Sequence, residues 1–145
     1  MKRTLFSIMI AASCLVACDN KDEAKPEIVF GSSNSKVAYR QSTVVPASDS
    51  EVAVNLKEIE DSRCPLNVVC ITTGSVALSF EISDGSNSTS VKTTFSGDGK
   101  NSGVQTFTLG KQNYALKVTE VLPYPETSQS PSVEDYKVGV SVVKL

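Results

Sequence analysis

After residue 35, hydrophobic and polar residues alternate with a period of two through most of the chain, the spacing of half-buried strands. The first such run covers residues 37–45, from Val37 to Val45, and Pro46 stops it. Beyond the turn-prone Ala47-Ser48-Asp49-Ser50, Val52, Val54 and Leu56 fall on one face while Glu51, Ala53, Asn55 and Lys57 fall on the other. That pattern gives one side to a core and one to water. Residues 71–83 repeat it, with Val76, Leu78, Phe80 and Ile82 against Ser75, Ala77, Ser79 and Glu81. Asp84-Gly85-Ser86-Asn87 then turns the chain. Further strands are predicted at 89–95, 104–109 and 114–122, and at the end of the chain, where Tyr136, Val138, Val140 and Val142 alternate against Lys137, Gly139 and Ser141. Loops separate them at 97–101, at 110–113, and at Pro123-Tyr124-Pro125 with the polar stretch 126–133. The pattern predicts an all-β chain, an antiparallel β-sandwich, loosely immunoglobulin-like, of seven to nine short strands.

The N-terminus follows a different rule. Lys2 and Arg3 precede the apolar run 5–12, which is too short to span a bilayer comfortably. The run ends in Leu15-Val16-Ala17-Cys18, which resembles the lipobox of bacterial lipoproteins. The resemblance implies lipid transfer to Cys18, cleavage after Ala17 and acylation of the new terminus. Several acyl chains, at about 0.8 kcal/mol per buried methylene, make a lasting anchor where one chain does not. The alternative is an ordinary signal peptide with a chance cysteine. The chain thus divides into a leader (1–17), a lipidated Cys18 with a tether (18–35) and one domain (36–145), about 110 residues, the size of a single unit. As a flexible coil the tether spans on the order of 20–25 Å, although Ile28-Val29-Phe30 within it also reads as a first edge strand. Asp19 resembles the inner-membrane retention signal of enterobacterial lipoproteins, and Lys21-Asp22-Glu23 the surface-export signal of other Gram-negative lineages. The expected location is the envelope of a Gram-negative bacterium, at the outer membrane, on its periplasmic face or the cell surface.

Charge and composition exclude more than they suggest. Loss of Lys2 and Arg3 leaves 12 basic against 16 acidic residues, a net of −4, with no cluster of Lys or Arg to form the footprint of nucleic-acid binding. The chain has no His, the commonest general base and metal ligand near neutral pH. It is therefore expected not to be an enzyme and to need no cofactor or metal. Ser and Thr abound at 86–96 without a base beside them. Asp84 and Asp98 each precede Gly, yet neither belongs to a dense run of oxygen ligands, so both are read as turn residues rather than calcium ligands. No spacing selects a carboxylate pair for glycoside hydrolysis.

The unusual chemistry is confined to Asp61-Ser62-Arg63-Cys64-Pro65-Leu66-Asn67-Val68-Val69-Cys70. With Cys14 in the leader and Cys18 acylated, Cys64 and Cys70 are the two free thiols of an exported protein, and a disulfide between them is the default. Closing so short a loop stabilises by about 2–2.5 kcal/mol on the chain-entropy model. The two-residue spacing of redox-active pairs is missing, as are further soft or imidazole ligands for zinc. The loop is read first as a structural staple. Its second reading is a contact loop built on Leu66, Val68 and Val69, which requires those side chains to face solvent. Asp61 and Arg63 are expected to fix the loop through local hydrogen bonds, or else to present a charged recognition patch.

This stretch resembles a widespread, poorly characterised domain of bacterial secreted proteins and lipoproteins. Its members read Asp-Ser-Arg-Cys-Pro, about five residues to a second Cys, then aliphatic-Trp-Ala-Gly, and later Pro-Tyr-Pro, a polar loop and a closing Asp-Tyr-x-Val strand. Here residues 61–65, Cys70-Ile71, Gly74, residues 123–125 and 135–138 match that outline, across about residues 30–145; Thr72-Thr73 replaces Trp-Ala. The resemblance implies a fold and brings no activity. Two roles are left open: a membrane-anchored accessory or interaction module of the envelope, and a small inhibitor or ligand-binding lipoprotein that uses the 64–70 loop. The partners expected are a membrane, through the lipid, and an envelope protein or other extracytoplasmic ligand.

Overall fold

A computed structural model describes residues 27–100, 103–128 and 130–145. The lipobox, Asp19 and Lys21-Asp22-Glu23 lie outside them. The described chain is a β-sandwich of eight strands: β1 Ser35–Ala38, β2 Ser42–Ala47, β3 Ser50–Asp61, β4 Ser75–Ser83, β5 Ser88–Ser96, β6 Val104–Leu109, β7 Gln112–Leu122 and β8 Lys137–Lys144. One sheet runs β1-β8-β7-β6 and the other β2-β3-β4-β5, all neighbours antiparallel. Each sheet is largely a meander. The chain changes sheet at β1–β2 and at β5–β6, and β1 returns to pair with the last strand.

The core follows from the alternation. Val52, Val54 and Leu56 of β3 and Val76, Leu78, Phe80 and Ile82 of β4 face Leu116 and Val118 of β7 and Val138, Val140 and Val142 of β8, all buried. Each such side chain contributes about 1.5–3 kcal/mol when fully removed from water. Two bulges, between Leu56 and Glu58 in β3 and between Val118 and Glu120 in β7, break the two-residue rule. An extra residue shifts the face that later side chains occupy. Without the first bulge, Ile59 and Asp61 would point outward; with it, the Asp61 side chain is only 7% exposed.

Four expectations need correction. The run 71–83 forms a strand only from Ser75, because residues 71–74 belong to the preceding loop, which Gly74 ends at φ 69°. The run 37–45 is not one strand: it breaks at Tyr39-Arg40-Gln41, where Arg40 adopts φ 53° as the chain passes between sheets. Pro46 does not stop β2 but sits inside it, paired with Glu51, which is tolerated because β2 is an edge strand. Ile28-Val29-Phe30 is coil, not strand. Residues 27–34 instead form a strap over the outer face of β7 and β8. Asn34 accepts a hydrogen bond from the Thr119 hydroxyl at 3.0 Å, and the Lys117 ammonium lies 5.5 Å from the Phe30 ring centre. The strap explains why Ser141 and Val143 are buried on a face predicted to be wet. Gly139 suits its place because a Cβ there would stand 2.6 Å from Thr119 Oγ1 and 2.8 Å from Glu120 Cγ of β7, with Asn34 Oδ1 of the strap at 3.1 Å.

The sandwich has two poles. At one, the turn at Ser48-Asp49, the turn at 84–87, the β6–β7 turn and the C-terminus meet: Lys144 pairs with Asp49 at 3.5 Å and the Leu145 amide donates to the Asn113 carbonyl. At the other lie the β3–β4 loop, the β5–β6 loop and the β7–β8 connection, which includes a 3-10 turn at Val133–Asp135. Read backwards from β1, the strap runs towards the first pole, where Val29, Gly31 and Ser33 border a cleft with Pro46, Ser48 and Val143.

Candidate functional site

The β3–β4 loop is mounted on a buried charge network. The Asp61 carboxylate accepts the Arg63 amide at 3.0 Å and the guanidinium through Nε at 2.9 Å and Nη2 at 2.5 Å. The same guanidinium donates to the carbonyls of Val121 and Pro123, each at 2.8 Å. Its carbon lies 4.3 Å from the Tyr124 ring centre, and the Tyr124 hydroxyl donates to the Gly97 carbonyl at 2.6 Å. From β8's entrance, the Tyr136 hydroxyl donates to Asp61 at 2.9 Å. With 1% and 7% of their side-chain surfaces exposed, Arg63 and Asp61 form no recognition patch. They are an internal tie, and the Asp-Ser-Arg, Pro-Tyr-Pro and Asp-Tyr segments of the sequence meet in it. Burial raises the Asp61 carboxyl, but the Arg63 side-chain and amide hydrogen bonds, the Tyr136 hydroxyl and the guanidinium charge together hold it below the usual carboxylate range. Burial, then the Asp61 hydrogen bond and charge, push Tyr136 up to about 12.

Beyond this tie the chain leaves the core. Cys64 and Cys70 are disulfide-bonded, with Cα atoms 6.0 Å apart. The Cys64 amide donates to the Thr73 carbonyl at 2.9 Å and the Leu66 amide to Pro125 at 3.0 Å. Asn67 bonds Thr127 in both directions, donating at 2.6 Å and accepting its amide at 3.0 Å. Gly74, at φ +69°, closes the loop where a Cβ would collide with the Ser62 carbonyl. The loop is thus held on three sides.

Its apolar side chains nonetheless face solvent. Leu66 is 65% exposed, Val68 43% and Val69 103%, and Ile71, which sequence reasoning missed, is 104% exposed. Ile71, directly after Cys70, reads in the sequence as the start of the strand run 71–83, and that reading hides its membership of the patch; the strand begins only at Ser75. Thr72 and Thr73 are exposed too. The stretch 64–73 carries no charged residue. Single exposed aliphatics are ordinary, but four within six residues on a pinned loop form a patch of the kind that marks a contact surface.

Elsewhere the exposed aliphatics Val29, Val44, Val104, Leu122, Val133 and Leu145 are scattered along the chain, without a second run like that of the loop. An open trough of about 550 Å³ on the outer face of the second sheet is lined by Glu58, Ser79, Lys92, Thr94 and Gln105, among others. Asp84 accepts the amides of Ser86 and Asn87, and Asp98 those of Lys100 and the Ser96 hydroxyl, as turn residues do. Among the described residues no three His, Cys, Asp or Glu side chains gather as a metal site. No protein-family model, curated protein or solved structure matches the chain.

Proposed function

We propose that this protein is a non-enzymatic interaction module of the Gram-negative cell envelope, tethered to the outer membrane through Cys18, whose contact element is the loop from Cys64 to Ile71. The observation that carries the reading is the exposure of Leu66, Val68, Val69 and Ile71 on a loop fixed by a disulfide and by hydrogen bonds to a second loop. Leaving four aliphatics in water costs solubility, and pinning them lowers the entropy lost when a partner covers them. The lipobox Leu15-Val16-Ala17-Cys18 supports the tether, and the absence of His agrees with a role outside catalysis. A narrower form of the reading is an inhibitor that inserts this loop into a partner's cleft.

Two measurements test it. Membrane fractionation of Cys18→Ser is expected to move the protein from the membrane to the soluble fraction; unchanged membrane retention overturns the anchor. Envelope pull-downs with the full chain and with Val69→Asp/Ile71→Asp are expected to differ in at least one partner. Identical partner profiles, or a hydrolytic activity of the purified protein that one carboxylate substitution abolishes, overturn the module.

A further inference from the structure

The apolar patch lies at the pole opposite to the one where the strap leads the chain away. Two elements define this axis. β1 pairs with β8 from Ser35 opposite Val140 to Ala38 opposite Lys137, so the chain before Ser35 points along β8 towards Lys144. The patch belongs instead to the pole where β8 begins, since the β3–β4 loop is bonded to the β7–β8 connection through Leu66 and Asn67. Cys18 is nine residues before Glu27, a reach of at most about 30 Å. With Cys18 in a membrane, the tether draws the first pole inward and the patch points away from that membrane.

The charges around the patch narrow what covers it. Glu126, exposed, lies between Pro125 and Thr127, the two residues that hold Leu66 and Asn67. Asp98 follows Gly97, whose amide is bonded to Gly74 at the other side of the loop, but its carboxylate is held within its own turn by the Ser96 hydroxyl and the Lys100 amide, with the Lys100 charge beside it. The cation nearest in sequence to that side is Lys100; Arg63 is buried and satisfied. Insertion into an anionic lipid surface is favoured by flanking Lys and Arg, each worth about 1 kcal/mol, whereas the charged residue between the Leu66 and Asn67 anchors is Glu126. Two copies meeting patch to patch would bring both Glu126 carboxylates into one interface. We infer that the patch docks into a different protein, one that presents an apolar socket bordered by Lys or Arg and that reaches the module from the side away from the anchoring membrane. This rests on the reading of the loop as the contact element and of Cys18 as the anchor.

The test is photocrosslinking in cells with the full chain, carrying benzoylphenylalanine at Val69 and, as a control, at Lys111 on the opposite pole. The expected result is one protein adduct from position 69, absent from position 111. Its crosslinked peptide is apolar with basic neighbours, and Glu126→Lys lowers its yield at least threefold while Ile71→Asp abolishes it. A position-69 adduct with phospholipid or with a second copy of this chain overturns the inference and leaves the loop as a contact element. So does a protein adduct whose yield Glu126→Lys leaves unchanged or raises. No adduct from position 69, with the protein present at wild-type level, overturns both.

Discussion

The Arg63 guanidinium binds the Asp61 carboxylate from only two residues away, yet its other hydrogen bonds reach Val121 and Pro123, about sixty residues further along the chain. The pair is therefore the joint between the loop and the β7–β8 connection. Arg63→Ala leaves the buried Asp61 carboxylate without its counter-charge, held only by the residue-63 amide and the Tyr136 hydroxyl, and takes the guanidinium donor from two carbonyls. Breaking a buried pair in this way costs about 3–5 kcal/mol. Urea denaturation of the purified domain should show that loss. Arg63→Lys should recover less than half of it, because an ammonium lacks the planar fork that reaches all three partners. A loss under about 1 kcal/mol for Arg63→Ala would show that the joint is dispensable.

Acid stability reports the same joint. The carboxyl of Asp61 is lower in the folded protein than its ordinary 3.8. Its contribution is thus complete above that value and is lost as pH falls through the lower folded value. Asp61→Asn should be less stable than the parent at neutral pH and should flatten the fall in stability below pH 3.8. Parallel curves for the two proteins would rule the linkage out.

At the alkaline end the sign is opposite. Tyr136 rises from 10.0 to about 12 on folding, so the folded state keeps a proton that the unfolded chain releases. Its share of stability is full below pH 10 and disappears between 10 and about 12. Tyr136→Phe should remove that component. Tyrosinate absorbance at 295 nm should show one fewer late-titrating group.

How much of this was legible in the sequence varied with the range of the interaction. From Ser75 onward β4 follows its own alternation except at Ser79, which is buried, and β6 ends where the pattern ended, because these depend on neighbours two residues apart. The break at Arg40 was hidden, since no Gly or Pro marks it and the crossing between sheets imposes it. The face of β8 holding Ser141 and Val143 looked wet because its cover, the strap, is separated from it by more than a hundred residues. Asp61 and Arg63 were recognisable as a local pair. Their burial was not, because it depends on the Tyr124 ring and two distant carbonyls.

The loop and the core should respond independently to substitution. Val69→Asp and Ile71→Asp change fully exposed positions, so each should alter stability by no more than about 0.5 kcal/mol. Gly74→Ala forces a Cβ against the Ser62 carbonyl at positive φ and should cost about 1–3 kcal/mol. Thermal melts of the three variants decide it: a large loss in the Asp variants would mean that these side chains are buried.

Cys64→Ser with Cys70→Ser should cost about 2–2.5 kcal/mol on the chain-entropy model while the sandwich persists. Limited proteolysis should then cut within 64–71 before any strand. Equal resistance with and without the disulfide would leave the hydrogen bonds to Pro125 and Thr127 as sufficient.

The route of the strap has a mechanical meaning. Tension applied ahead of Glu27, with the far pole held by a bound partner, pulls β1 along its own axis against β8. Antiparallel hydrogen bonds lie across the strands, so the bonds between Ser35–Ala38 and β8 are loaded together in shear rather than opened one after another. A tether attached at the other end of β1 would unzip it. Single-molecule pulling between a handle ahead of residue 27 and one at position 69 should therefore meet a distinct rupture step, and a featureless extension would show that β1 bears no load.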